Sequence, residues 1–337
     1  MPPSNLSTSL INKAGNTLSG RSLDIDEDRA WEILDEWRAA HGVPLHFLYI
    51  NLSRHASKVE KNALIARRLK RSSSIFSKLQ REARMSLRRM QDIAGCRAIM
   101  PSLQGAIALS ERFQKSSQKH QLERVKNYIK SPKSSGYRGI HLIYRFKSND
   151  SKYESSNDLR VEIQIRSMYQ HLWATAVEIV AMMTQQALKS SQGSDDWLDF
   201  FRMIGSAFAH LDEKKIIPDR LCRDITKLAK KLDVQKRLTG YSLAMEEVKK
   251  RKADFYLLII EKLALRIEFF SDADLANDAY LIEERRLKLD KSSDVVLVGA
   301  DSFHQLRRAF PNYFGDSEKF VRALDAIVIT RKKWWEL

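Results

Sequence analysis

The chain has 337 residues, of which 43% are hydrophobic, so it is long enough for one large domain or two ordinary ones and too apolar for global disorder. Its 58 Lys and Arg against 42 Asp and Glu give a net charge of +16, which suits a polyanionic partner: nucleic acid, nucleotides or an anionic surface. The membrane is the weakest of the three, because no apolar run approaches the ~20 residues that a spanning helix requires; Cys96 and Cys222, the only two cysteines, exclude a disulfide framework and a thiolate zinc site.

Residues 1–24 read as a loose polar leader, and MPPSNLSTSLINKAG lacks the apolar stretch of a signal peptide, so a cytoplasmic protein is expected. IDEDRAWEILDEWRAAHG reads as a helix from Ile25, with Asp26, Glu27 and Asp28 in its first turn and Gly42 as its stop. A basic helical stretch is expected over Val59–Leu69, an interruption at Ser72–Ser74, and a second helix from Ile75 to about Met90. The period then changes: Ala94, Cys96, Ala98 and Met100 alternate with Gly95, Arg97 and Ile99, which predicts a buried strand closed by Pro101. Helix returns over Leu103–Lys115.

KSPKSSGYRGIH (130–141) cannot be helical, because Pro132 and Gly136 punctuate it. It is a basic loop feeding a strand in which Ile140, Leu142, Tyr144 and Phe146 share one side. RVEIQIR (160–166) alternates without a break, with Glu162, Gln164 and Arg166 on its polar face. Long helices are expected over Met168–Lys189, Asp195–Leu211 and Pro218–Lys231. Near residue 250 the composition shifts. Two strands in FYLLIIEKLALRIEFF, a helix over Ala273–Leu289, a strand over Val295–Val298 and short helices around His304–Ala309 and Ser317–Ile327 make a second, ββαβα domain over 251–337, after a first domain over 25–250.

Asp92 just before one strand and Glu162 on the polar face of another would converge if the strands were neighbours. Such a pair can hold Mg²⁺ against a triphosphate, or one member can deprotonate a hydroxyl. Many cations surround them in sequence, and phosphoryl transfer needs chiefly positioning and positive charge. Taken singly, each feature has a plainer explanation: a cap residue, a solvated strand face, a solvated basic helix.

RLKRSSSIFSKL (68–79), RMQDIAGCRAIM (89–100), VKNYIKSPKSSGYRGIH (125–141) and VEIQIRSMYQHLWA (161–174) occur in this order, and from Arg68 to about Glu178 the chain resembles the RelA/SpoT-type synthetase domain. The resemblance implies an α/β (α+β) fold with a mixed, nucleotidyltransferase-like sheet flanked by helices. It implies a pyrophosphokinase that moves the β,γ-pyrophosphate of ATP to a ribose 3′-hydroxyl with Mg²⁺ and releases AMP. By position, Arg68, Lys70, Lys78 and Arg97 match the ATP-handling cations. Asp92 matches the metal aspartate and Glu162 the catalytic glutamate, and both are candidate ligands of the metal. Lys126, Lys133, Tyr137 and Arg138 fall on the acceptor side, where the tyrosine stacks on a base; Gln164, Arg166, His171 and Trp173 complete the last motif. The departures lie on that same side: Asn127 replaces a usual aspartate, Gly139 a usual serine, and Val177-Glu178 a common Glu-His pair.

WEILDEWRAAHGVPL (31–45), WATAVE (173–178) and RRAFPNYFGDSEKF (307–320) are similar to the CapRel-like group of fused toxin–antitoxin proteins of phage defence. That likeness implies a C-terminal pseudo-zinc-finger that restrains the synthetase until a phage protein binds. Phe310 and Tyr313 would be its regulatory contacts, although they serve equally as a small aromatic core beside Pro311. It also implies an acceptor at the 3′-terminal adenosine of tRNA, which the charge surplus suits, and a monomer. The alternatives are a synthetase making guanosine tetra- or pentaphosphate from ATP and GDP or GTP, and a non-enzymatic RNA- or nucleotide-binding module.

Overall fold

The structure, a computed structural model, describes residues 6–116, 119–184, 195–238, 253–261, 264–287, 294–299 and 318–329. Phe310, Tyr313 and the helix expected around His304–Ala309 lie outside the described residues.

Three helices precede the first strand: α1 (Thr8–Leu18), α2 (Glu27–Ala40) and α3 (Gly42–Val59). Helix α1 replaces the expected loose leader. Ser7 caps it by accepting from the Leu10 amide, and Ile11, Ala14 and Leu18, at helical spacing, are buried against Ile33, Leu34 and Trp37 of α2. Asp26 caps α2 through the amides of Asp28 and Arg29. Gly42 opens α3 instead of stopping the chain, because His41 ends one helix and begins the next.

The main sheet has strands in the order β1 (Leu64–Leu69), β2 (Ala94–Met100), β5 (Arg160–Ser167), β4 (Ile140–Arg145) and β3 (Gln121–Asn127). Only the central β2–β5 pair is parallel. The basic stretch expected to be helical is in part strand β1: its register sets Ala66 opposite Arg97 and Arg68 opposite Gly95, and pairing with β2 overrides a pattern too short to choose a period. Strand β3 carries no apolar alternation and has no counterpart among the predicted elements. Helix α4 (Ser72–Arg81) starts where an interruption was expected and ends before a 3₁₀ turn at Leu87–Arg89; α5 (Leu103–Gln114) falls where predicted.

Alternation decides what each sheet face carries. Cys96, Ala98, Leu142, Ile163 and Ile165 pack under α3 and α5 with Leu48, Leu52, Leu109 and Phe113. Each such fully buried aliphatic side chain contributes on the order of 1.5–3 kcal/mol. The opposite parity puts Arg68, Arg97, His141, Glu162, Gln164, Arg166 and Lys126 on the other face.

Helices α6 (Met168–Thr184), α7 (Asp195–Asp212) and α8 (Asp219–Lys231) form a second core around Trp173, Phe200, Phe201, Ile204 and Phe208. The expected ββαβα unit is divided. Strands β6 (Phe255–Glu261), β7 (Ala264–Phe270) and β8 (Asp294–Gly299) form an antiparallel sheet in the order β7-β6-β8, and α9 (Ala273–Arg286) covers it. The last helix, α10 (Glu318–Ile329), leaves that sheet and buries Phe320, Leu324 and Ile327 in the α6–α8 core.

The loop before β4 is seated on α7 by a pair of glycines. Gly136 has φ 91°, and a Cβ at Gly205 would stand 2.5 Å from the Gly136 carbonyl oxygen. Gly205→Ala must therefore push the loop off α7. We expect a loss of ~1–3 kcal/mol, read as a lower denaturation midpoint, with Gly42→Ala, where a Cβ meets nothing within 4 Å, as the control.

Candidate active site

The β2–β5 register sets Gly95 opposite Glu162 and Arg97 opposite Gln164. Arg68, Lys70, Asp92, Arg97, Glu162 and Gln164 line a single cleft. The geometry divides it into two clusters.

On one side stands Asp92. Its two carboxylate oxygens accept from Lys70 Nζ and Lys78 Nζ, each at 2.9 Å. Lys70 sits at the turn after β1, where its amide donates to the Ile93 carbonyl at 2.6 Å, and Lys78 comes from α4. Burial works to raise the Asp92 carboxyl, but the charges and hydrogen bonds of the two lysines outweigh it and hold the group well below the carboxylate range. Burial lowers the Lys70 ammonium, with Asp92 opposing.

On the other side five side chains close a ring. Glu162 Oε1 meets His141 Nδ1 at 2.9 Å; His141 Nε2 meets the Tyr137 hydroxyl at 2.5 Å; Arg166 Nη2 donates to that hydroxyl at 2.9 Å and to Gln164 Oε1 at 3.0 Å; Gln164 Nε2 donates to Glu162 Oε2 at 2.7 Å. The carboxylate can only accept, so Nδ1 donates to it, and in the neutral imidazole Nε2 accepts the tyrosine proton. Burial pushes the Glu162 carboxyl up, but the hydrogen bond from His141, with help from that of Gln164, brings it down to about 2. Arg166 Nη1 is buried with no hydrogen-bond partner, a donor that suits an anionic oxygen.

Tyr137 is thus half-buried and tied at its hydroxyl. Burial raises its phenol, with Arg166 opposing. The Arg166 guanidinium lies 5.1 Å and Lys133 Nζ 5.3 Å from the ring centroid, and Tyr128 and Trp173 meet the ring edge-on. Lys133 also stands 4.8 Å from the Tyr128 centroid. Lys126 Nζ contacts Gln91 Oε1 at 3.4 Å, and Arg138 reaches the Ile129 carbonyl at the same distance. Trp173 is buried and donates from Nε1 to the Phe201 carbonyl at 2.7 Å, which makes it a brace between the Tyr137 ring and α7. His171 is buried as well. Gly139, at φ 151°, leaves room for the ring: a Cβ there would meet the Tyr137 hydroxyl at 3.2 Å.

His141 and Tyr128 are absent from the residues predicted for the site. A signal for His141 existed, a polar ring on the side of β4 away from Ile140, Leu142 and Tyr144. Among the described residues no cluster of three or more His, Cys, Asp or Glu is set to hold a metal. Asp92 and Glu162 in one cleft instead fit Mg²⁺ that takes one or two protein carboxylates and completes its shell with phosphate oxygens and water.

Residues 67–182 match the family described as "Region found in RelA / SpoT proteins". This span holds every predicted site residue except Phe310 and Tyr313. GTP pyrophosphokinase YwaC of Bacillus subtilis is 33% identical over 113 residues, which are 32% of this chain and 52% of that protein; the chain thus spans about half the length of this curated relative. The small alarmone synthetase 1 of Bacillus subtilis, solved bound to its product pppGpp, is 22% identical with a TM-score of 0.45, covering 53% of this chain and 93% of that one. A GTP pyrophosphokinase family protein from Streptococcus pneumoniae is 21% identical with a TM-score of 0.45, covering 56% and 92%.

If His141 is what holds Glu162 ionised, His141→Ala should let burial dominate and raise the Glu162 carboxyl from about 2. A ¹³C titration of the glutamate carboxyls checks this: the Glu162 midpoint should move up by at least a unit, and an unmoved midpoint would assign the shift to another group.

Proposed function

We propose that the RelA/SpoT region at residues 67–182 is a pyrophosphokinase that transfers the β,γ-pyrophosphate of ATP to a ribose 3′-hydroxyl of a purine nucleotide. The observation that carries this reading is the meeting in one cleft of the Asp92–Lys70–Lys78 cluster and the ring around Glu162. The family match and the name of the Bacillus relative support it.

In this mechanism the acceptor hydroxyl attacks the β-phosphorus, the bond from that phosphorus to the α,β-bridging oxygen breaks, and AMP departs with the bond's electrons. The hydroxyl proton passes to Glu162. A carboxyl with a pKa of about 2 stays ionised throughout the neutral range, so the acceptor always finds a carboxylate to bond. It is a weak base, and it suits a loose transition state, in which the attacking oxygen gives up its proton late. His141 stabilises the carboxylate before transfer, and Tyr137 holds His141 in the tautomer that does so. Lys70 and Lys78 offer charge to the transferring phosphates, with Arg68 and Arg97 on the adjoining strands. A triphosphate presents oxygens that compete with Asp92 for the two ammonium groups, and a displaced Asp92, with Glu162, would hold Mg²⁺. When bound, the ion supplies charge neutralisation to the donor phosphates.

Two acceptors fit. GDP or GTP is favoured by the Bacillus relative's name. The 3′-terminal adenosine of tRNA is favoured by the charge of +16 and by the exposed Arg81, at the end of α4, with Arg84 and Arg89 after it, which suit a phosphate backbone. A CapRel-like toxin restrained by its C-terminal segment, and released by a phage protein, is the reading that joins the second acceptor to residues 307–320. Its expected contacts, Phe310 and Tyr313, are outside the described residues.

Incubation with γ-³²P-ATP and GDP, GTP or bulk tRNA separates the acceptors: label on guanosine nucleotides alone removes the tRNA reading, and label on tRNA alone removes the other. In either case Glu162→Gln should reduce transfer by at least about 10²-fold, as removal of a positioned base does. Near-normal turnover in that variant would sink the mechanism.

A further inference from the structure

Helix α4 begins without a side-chain cap of its own: the Arg71 side chain makes no capping hydrogen bond. The first helical amide, that of Ser72, donates instead to Glu284 Oε1 at 3.0 Å, across 212 positions of sequence. Glu284 lies on α9, in the C-terminal unit, and is buried. Its other oxygen accepts from Arg38 Nη1 at 3.1 Å. Arg38, from α2, has a side chain only 8% exposed and spends every nitrogen: Nη1 also reaches Asp35 Oδ1 at 3.0 Å, Nη2 donates to the Tyr280 hydroxyl at 2.9 Å, and Nε donates to the Lys70 carbonyl at 3.0 Å. Tyr280 and Glu284 are four apart on α9, so one helix face presents both.

Two of these bonds, from Arg38 Nε and to Glu284 Oε1, end on the four residues, 69–72, that join β1 to α4, and the others tie Arg38 and Glu284 to each other and to Asp35 and Tyr280. The Lys70 amide is held by Ile93, the Lys70 carbonyl by Arg38 and the Ser72 amide by Glu284. This turn carries Lys70 and follows Arg68, and the helix it launches carries Lys78. A carboxylate at a helix N-terminus is favoured by the unpaired amides and by the helix dipole, and its burial strengthens the interaction. The matched region 67–182 supplies none of the four side chains in this clamp, Asp35, Arg38, Tyr280 and Glu284.

We propose that Glu284 and Arg38 are positioning residues for the donor site, so that the C-terminal unit completes the ATP-binding turn. The inference rests on the pyrophosphokinase reading for its substrate, but its test does not depend on turnover. Calorimetry on the full chain with α,β-methylene-ATP, which cannot be cleaved at the reacting bond, measures donor binding directly. Glu284→Gln keeps shape and removes charge, and Tyr280→Phe removes one hydroxyl. We expect Glu284→Gln to weaken binding by about tenfold, the effect of losing one charge-assisted hydrogen bond, and Tyr280→Phe by less. Amide exchange at Ser72 should quicken in both while exchange in β5 is unchanged. If the chain transfers pyrophosphate, KM for ATP should rise and KM for the acceptor should not. Wild-type binding with unchanged Ser72 exchange in Tyr280→Phe and in a folded Glu284→Gln would overturn the proposal. Tighter binding or faster transfer in either variant would overturn it too, by making the contact a restraint. If Glu284→Gln does not fold, Tyr280→Phe decides alone. Should wild-type bind the analogue and transfer nothing, the function reading fails and the positioning result still stands.

Discussion

The hydrogen-bonded ring of Glu162, His141, Tyr137, Arg166 and Gln164 constrains much of the molecule. Five polar side chains are wholly or partly taken out of water together, and the hydrogen bonds they make to one another offset most of that cost, leaving Arg166 Nη1 as the one donor of the ring without a partner. That requires β4 and β5 in their observed register, with His141 opposite Gln164 and Ile143 opposite Glu162. A slip of one residue would send the ring into the apolar layer under α3 and α5 and bring Ile163 and Ile165 out to replace it. The apolar layer and the polar ring therefore specify one another: the same alternation that buries Leu142 and Ile163 also aligns His141 and Glu162.

The two halves of the cleft are built differently. Four members of the ring stand on the paired strands β4 and β5, and Tyr137 joins them from the loop before β4. The Asp92 cluster hangs on a turn and on the first turns of α4, and its order comes from residues far away in sequence, Arg38 and Glu284. Charge is arranged accordingly. Glu162 is stabilised by hydrogen bonds from a histidine and an amide and stays where it is. Asp92 is stabilised by two lysine ammonium groups, which are mobile point charges able to exchange one anion for another.

What could be read from residue order follows the strength of local signals. Strands β2 and β5 and helices α5, α7 and α8 were legible because their periodicity is unbroken over six or more residues. The cleft was legible in outline, since Asp92, Glu162, Lys70 and Lys78 lie in motifs with recognisable order. Strand β1 was not, because LIARRL is short, basic and compatible with either period, and only its pairing with β2 decides. Helix α1 hides three core residues among polar ones. The ring around Glu162 depends on a register that no single segment encodes, and the clamp on the turn depends on Arg38 meeting a glutamate 246 positions away. Such contacts have no local signature.

The place of α10 bears on how the chain matures on the ribosome. Phe320 packs edge-on against Phe208 of α7, the helix on which the Gly136 loop rests and to which Trp173 is bonded. Vectorial synthesis delivers Phe320 more than a hundred residues after Phe208. Until then the groove that receives α10 is an open apolar surface, and the helices that brace the loop lack part of their core. A nascent chain with residues 67–182 already outside the exit tunnel thus has the side chains of the cleft but an incompletely supported loop before β4. Full support for the loop arrives only once α10 has been synthesised and docked.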